Sequence, residues 1–212
     1  MPTLPLPASL RTLARASLGP ARYRTFRPAW TATTALRTAM SASEPPAALR
    51  PANAREERRW NRLADAMSRF HDYFKAEFNA IYEMADGSFN RRGMNLRMYL
   101  SEAGELRKHL TVHHTIEERH IFPVLAKRMP AFKNEEQHIK SHHAIHEGLD
   151  ALGALIEKWL AEPSAYSPEE MKACLDAWRE VLFKHLDEEV EDLRGENMKK
   201  YWTLEEVERI MI

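Results

Sequence analysis

The chain has 212 residues, 44% hydrophobic and 29% charged, enough for about one ordinary soluble domain with a real core plus a tail. Its lone cysteine, Cys174, excludes an intramolecular disulfide and any multi-cysteine zinc or iron–sulfur site; with Leu175 and Trp178 nearby at helical spacing it reads as an inert core residue. The formal net charge of zero hides an asymmetry: no acid precedes Glu44, Arg11, Arg15, Arg22, Arg24, Arg27 and Arg37 all do, and acids outnumber bases from Glu44 onward.

Residues 1–50 are Arg-rich, rich in Ser, Thr, Ala and Pro, and acid-free up to Glu44. They cannot bury enough apolar surface to fold alone. The composition is that of an organellar transit peptide, which in a fungal-like or animal-like cell means the mitochondrion. The alternative is a disordered basic extension of a cytoplasmic protein. Residues 44–54 read as a linker. The remainder is rich in good helix formers and poor in glycine, which favours helix over sheet.

A first helix is expected from about Arg55 to Ala85, with Trp60, Leu63, Met67, His71, Phe74, Phe78 and Ile81 on one buried face. The segment 86–93, with two glycines and Asn90, breaks it. A second helix spans about Met94 to Arg128, its inner face carrying Leu96, Tyr99, Ala103, Leu106, Leu110, His113, Glu117, Ile121 and Val124. Pro123 inside that pattern predicts a kink or an altered last turn, and Pro130 ends it. The third helix runs from about Asn134 to Leu160 with His142, Ile145, His146, Leu149, Leu152, Ile156 and Trp159 inward. Ser167, Pro168 and Glu170 open the fourth as a capping box. Its inner face holds Leu175, Trp178, Leu182, His185 and Glu189, and Gly195 is its expected stop. Thr203 to Glu206 open a short terminal helix within the tail 196–212. No internal repeat and no hairpin turn occurs. The fold class is therefore all-α: an up-down-up-down four-helix bundle over about residues 55–195.

Four stretches place histidine on these inner faces: His71 alone, His113 with Glu117, His142 with His146, and His185 with Glu189. Residues four apart share a helix face, about 5–6 Å between Cβ atoms. A lone inward histidine is commonly a satisfied core residue. Seven ionisable groups on inner faces are different, because each costs several kcal/mol to bury unpaired. A divalent cation offsets that cost, requiring neutral imidazole and ionised carboxylate. Five imidazoles and two carboxylates on one axis would make a two-metal site. His114 and Glu118 share a stripe with Arg107 and Thr111, so they are expected to face solvent or a neighbouring helix and not to bind metal. His143 leaves the inner stripe and His120 flanks it. His138 and His109 each lie one turn before a candidate ligand, as supporting groups or as ligands themselves.

The segments around His71 (RFHDYF), 113–123 (HHTIEERHIFP), 142–149 (HHAIHEGL) and 185–189 (HLDEE) together resemble the hemerythrin-like family, also called HHE cation-binding domains. They span about residues 55–195 in the family's order. The resemblance implies a non-haem di-iron centre in the bundle core. His71, His113, His142, His146 and His185 would be terminal ligands, and Glu117 and Glu189 would bridge the two Fe ions. Oxygen-carrying members end their motif with an aspartate five residues after the last histidine. Val190 stands there in this chain and Glu189, at four, must serve, so the similarity is to the wider family.

Imidazole with carboxylate suits iron better than calcium or magnesium, and no thiolate set favours structural zinc. The zinc-protease spacing HExxH is absent. Seven protein ligands and a bridging hydroxide or water leave one position open on two six-coordinate irons, with Phe74, Ile116, Leu149 and Leu182 as candidate apolar surroundings. Oxygen, or another small diatomic molecule or peroxide, is the expected ligand of a binding or iron-buffering protein. The second expectation is a di-iron oxidoreductase acting on peroxide, nitric oxide or an organic molecule, with Tyr73, Tyr82 and Tyr99 as its weak support and structural roles the better reading of each. A third is an interaction module with a structural metal and a docking face near Trp202. No nucleic acid is expected, since the folded part lacks a basic stripe interleaved with aromatics. No membrane is expected either, since no run approaches the ~20 apolar residues a span needs.

Overall fold

A computed structural model describes residues 51–133 and 137–211. The basic segment read as a transit peptide or disordered extension lies outside them. Every regular element among the described residues is helical, and no helix among them is long and apolar enough to cross a membrane.

The first long helix arrives in two pieces, α1 (Pro51–Trp60) and α2 (Arg62–Met84). Residues 51–54 of the expected linker are therefore helical. Asn61 marks the break with φ −86° and ψ 1°. Its side chain ties the junction down, donating to the Glu57 carbonyl at 2.9 Å and accepting from the Gly195 N–H at 2.9 Å. Gly87 (φ 90°) and Gly93 (φ 77°) then flank a 3₁₀ turn, Ser88–Arg92, in the left-handed region that glycine tolerates best.

Helix α3 (Leu96–Ile116) is capped by Asn95, whose Oδ1 accepts from the Met98 N–H at 3.0 Å. It passes into a π-helical turn, Glu117–Ile121, and then into α4 (Phe122–Leu125). Pro123 has no N–H to donate and its ring crowds the carbonyl four residues back; the wider turn just before it accommodates both. A π turn inserts one residue, so the inward stripe slips. Phe122 and Leu125 are buried where Val124 was expected, and Val124 is only half-buried.

After a 3₁₀ turn at Pro130–Phe132 come α5 (Gln137–Ala161) and α6 (Pro168–Asp192). Ser167 caps α6, accepting from the Glu170 N–H at 3.1 Å. The expected capping box is only half formed, because the Ser167 hydroxyl donates to Glu169 and Glu170 makes no return bond. Gly195 does not stop α6, which ends at Asp192, but opens α7 (Gly195–Met198). Helix α8 (Leu204–Arg209) carries the complete capping box between Thr203 and Glu206.

Helix α2 packs on α3 and α6, and α5 packs on the same two. Along each neighbouring pair, numbers rise on one helix as they fall on the other. His71, Glu77 and Ile81 meet His113, His109 and Tyr99. Arg107 and Glu118 meet Leu149 and His142. His138, His142 and Lys158 meet Asp192, His185 and Glu170.

Two apolar cores result. One gathers Phe74, Phe78, Leu106, Leu110, Ile145, Leu149, Trp178 and Leu182; the other gathers Leu63, Met67, Ile121, Phe122, Leu125, Leu193 and Val207. On every long helix the break between the two is occupied by histidine or glutamate. Helix α2 reads Met67, His71, Phe74, and α5 reads Ile139, His142, Ile145. A polar layer is thus held between two apolar ones.

Candidate metal centre

Seven polar side chains form that layer, each buried to within about one per cent exposure: His71, His114, Glu117, His138, His142, His185 and Glu189. His113 stands beside them with 11% of its side chain exposed. Two clusters present ligand atoms mutually within 4.8 Å, His71 with His113 and Glu117, and His114 with Glu117, His142 and His185. Glu117 belongs to both.

The carboxylates span the two clusters. Glu117 lies 2.9 Å from His113 Nε2 through Oε1 and 3.5 Å from His142 Nε2 through Oε2. Glu189 Oε2 is 3.6 Å from both His71 Nε2 and His185 Nε2. These approaches are off-line for hydrogen bonding, and none of the four oxygens of Glu117 and Glu189 has a hydrogen-bond donor among the described residues. Burial pushes both carboxyl groups well above the usual carboxylate range, and the Glu117 charge raises Glu189 further.

The histidines are oriented from behind. His71 Nδ1 donates to the Leu186 carbonyl at 2.7 Å, and His142 Nδ1 donates to Glu118 at 2.7 Å. A neutral imidazole that donates through Nδ1 keeps a lone pair on Nε2, so both rings aim acceptors at the centre. The facing nitrogens lie only 3.1 Å apart, His71 Nε2 to His113 Nε2 and His142 Nε2 to His185 Nε2. Burial lowers His71 to about 3, His113 to about 4 and His142 to about 2, and drives His114 and His185 down as well. The rings are therefore neutral bases, as metal ligation requires. Imidazole nitrogens and carboxylate oxygens without partners converge in a buried layer, an arrangement that a bound cation would compensate. The donor set fits iron.

The structure brings together six of the seven residues read from the sequence as ligands: His71, His113, Glu117, His142, His185 and Glu189. His146 is half-buried and outside both clusters. The inward face of α5 steps from His142 by three residues to Ile145, which carries His146 to its edge. On α3 the step from Leu110 is four, which turns His114 inward. Of the two expectations for His114, solvent or a neighbouring helix, the second holds: it is fully buried and stacked on His142 of α5 at 3.9 Å and 13°, inside one of the two clusters. Its ring nitrogens have no partner among the described residues. Leu106 and Leu110, four apart, were the available signal for His114. Glu118, read as its stripe-mate, does reach a neighbouring helix.

His138 is a supporting group, its Nε2 3.0 Å from Asp192 and its ring 5.6 Å from that of His185. His109 pairs with Glu77 at 3.0 Å, away from the clusters. His120 and His143 are exposed. Phe74, Leu149 and Leu182 are buried as expected, but Ile116 is 48% exposed and does not seal the centre. Of the tyrosines, Tyr73 is exposed, Tyr82 binds Asp176 and Tyr99 donates to the Ile81 carbonyl. None joins the layer.

A family model described as the hemerythrin HHE cation binding domain matches residues 62–194. The chain is 27% identical over 147 residues to the dimeric xanthone biosynthesis cluster protein R11 of Cryptosporiopsis sp. (strain 8999), an alignment covering 66% of this chain and 55% of that protein. The chain thus spans about half the length of the curated relative it matches. No solved structure matches.

Proposed function

Because the chain belongs to the hemerythrin HHE cation-binding domain family, we propose that it is a non-haem di-iron protein, its two ions held inside an up-down-up-down four-helix bundle. One observation carries this reading: the buried carboxyl groups of Glu117 and Glu189, without hydrogen-bond partners among the described residues, lie within 3.6 Å of imidazole nitrogens from all four long helices. One ion would take His71 and His113, the other His114, His142 and His185, with Glu117 and Glu189 spanning both. His114 replaces His146 in this set because it lies inside a cluster and His146 does not. Leu186 and Glu118 fix the tautomers of His71 and His142, which raises ligand basicity and holds ring orientation. Phe74, Leu149 and Leu182 keep water from that face.

Iron so held would supply reversible coordination of oxygen or a related small molecule, or redox chemistry on one. Binding, buffering or sensing is the first assignment, since Tyr73, Tyr82 and Tyr99, the residues that would have supported catalysis, stand outside the layer. The second, a di-iron oxidoreductase acting on peroxide, nitric oxide or an organic molecule, is favoured by the relative, whose name ties it to biosynthesis of a small molecule. Anaerobic metal analysis followed by titration with air tests the reading. About two irons per chain are expected, with an absorption change on exposure to air. Reversal on removing oxygen favours the first assignment, and turnover of added substrate the second. A purified chain that takes up no iron, yet keeps its helical content, would overturn both.

A further inference from the structure

Between α2 and α3 runs a groove of about 760 Å³, within the range of pockets that hold small organic ligands. Its walls expose four large apolar side chains: Phe70 at 50%, Tyr73 at 52%, Val112 at 51% and Ile116 at 48%. A contiguous apolar patch of this kind marks a binding surface more often than scattered exposed residues do. The wall is aromatic on the α2 side, and Phe74 is its buried member. Phe74 lies 4.8 Å and Phe70 5.9 Å from the His113 ring, and Tyr73 lies 6.0 Å from Phe74. Those separations are the ones at which rings stack or meet edge to face.

Two features fix the occupant. Arg69 and Lys108 line the mouth. Arg69 makes no ion pair among the described residues, while Lys108 holds Glu105 at 3.2 Å. The groove therefore joins an apolar, aromatic wall to two exposed cations, of which Arg69 is without an ion pair among the described residues. The second feature is its floor. His113 lines the groove while its Nε2 lies 2.9 Å from Glu117, so one imidazole faces the groove on one side and the buried layer on the other. His71, His114, His142 and His185 are sealed.

We propose that this groove binds a small aromatic anion, a one- or two-ring carboxylate or phenolate, with its ring against Phe74 and His113 and its charge toward Arg69 and Lys108. The binding stands on the groove alone. Only the consequence that the ring touches a ligand of the metal centre rests on the di-iron reading. The occupant would be the organic molecule on which that centre acts, or one whose presence it reports.

The test titrates the full-length protein, its iron content measured beforehand, with 2-naphthoate and with neutral 2-naphthamide, following ligand fluorescence. Saturable binding of 2-naphthoate at one per chain is expected. Val112→Glu, on an exposed helix position, should weaken it about tenfold or more while iron content and helicity stay unchanged. Charge reversal at both Arg69→Glu and Lys108→Glu should weaken the naphthoate about fivefold or more and leave the amide nearly unaffected. In iron-loaded protein the naphthoate should also shift the metal absorption, and should fail to do so in Val112→Glu. Equal binding of both probes, or binding indifferent to Val112→Glu, overturns the proposal. A concentration-dependent dimer that Val112→Glu dissolves overturns it too, assigning the groove to a second copy of the chain. Naphthoate binding with the expected variant response in protein that holds no iron upholds the groove and removes the metal reading alone.

Discussion

Adjacent histidines on one helix turn have opposite surroundings only if a boundary passes between them, and here it passes on an unexpected side of His113. That ring keeps a solvent-facing edge, while His114 is sealed and stacked on His142. Replacing His114 by alanine should therefore lower iron from about two per chain toward about one, read by metal analysis, and alter the residual centre's spectrum. His146→Ala, removing a ring 5.3 Å from His114 and outside both clusters, should leave iron content close to wild type. The opposite ranking would restore His146 to the ligand set. Glu117→Ala should lose both ions, because its two oxygens point to different clusters. Retention of both would show that Glu189 alone spans the layer.

Helices were legible where the inward steps stay regular and less so where a step changes. Along α2 and α6 every residue read as inward from periodicity is buried, because steps of three and four keep to one face throughout. On α3 and α5 the same rule gave the faces but not the choice between neighbours. A step of four from Leu110 and a step of three from His142 are packing outcomes, set by the facing helices, which a single helix's pattern does not contain. The π turn at Glu117–Ile121 has a cause in the sequence, Pro123, yet its one-residue slip could be placed only in the fold. Close packing between elements gives a separate prediction. A Cβ on Gly148 would lie 2.2, 2.5 and 2.7 Å from side-chain atoms of Trp178, whereas one on Gly104 would meet nothing within 4 Å. Gly148→Ala, pressing α5 against α6, should destabilise by about 1–3 kcal/mol. Gly104→Ala, in the interior of α3, should stabilise by up to about 1 kcal/mol through helix propensity. Thermal melts of the two variants should move in opposite directions, and a neutral Gly148→Ala would mean that Trp178 can swing aside.

At the scale of the whole molecule, the polar layer makes metal-free stability depend on pH in a definite sense. Each buried histidine has a folded pKa below its ordinary value: about 3 for His71, about 4 for His113 and about 2 for His142, with His114 and His185 also lowered. As pH falls below about 6.5 the unfolded chain takes up protons on these rings that the folded chain refuses. Their contribution to stability is therefore present above that pH and drains away as pH drops toward the folded values. Glu117 and Glu189 are raised and act oppositely. Folded, they hold protons that the unfolded chain releases above about 4.5, so their contribution is present in acid and is lost as pH rises. Five histidines titrate against two carboxyl groups, so between about pH 6.5 and 4.5 the imidazole slope wins and metal-free protein should melt at progressively lower temperature. Bound cations change the balance, since they hold the carboxylates ionised and occupy the imidazole lone pairs. Loaded protein should be more stable than metal-free protein at pH 7, with the gap closing in acid as protons displace the ions. Melting curves of both forms across pH 4.5–7.5 check this. A metal-free Tm that rises toward pH 4.5 would mean that the carboxyl pair, and not the ring of histidines, governs the energetics of the layer.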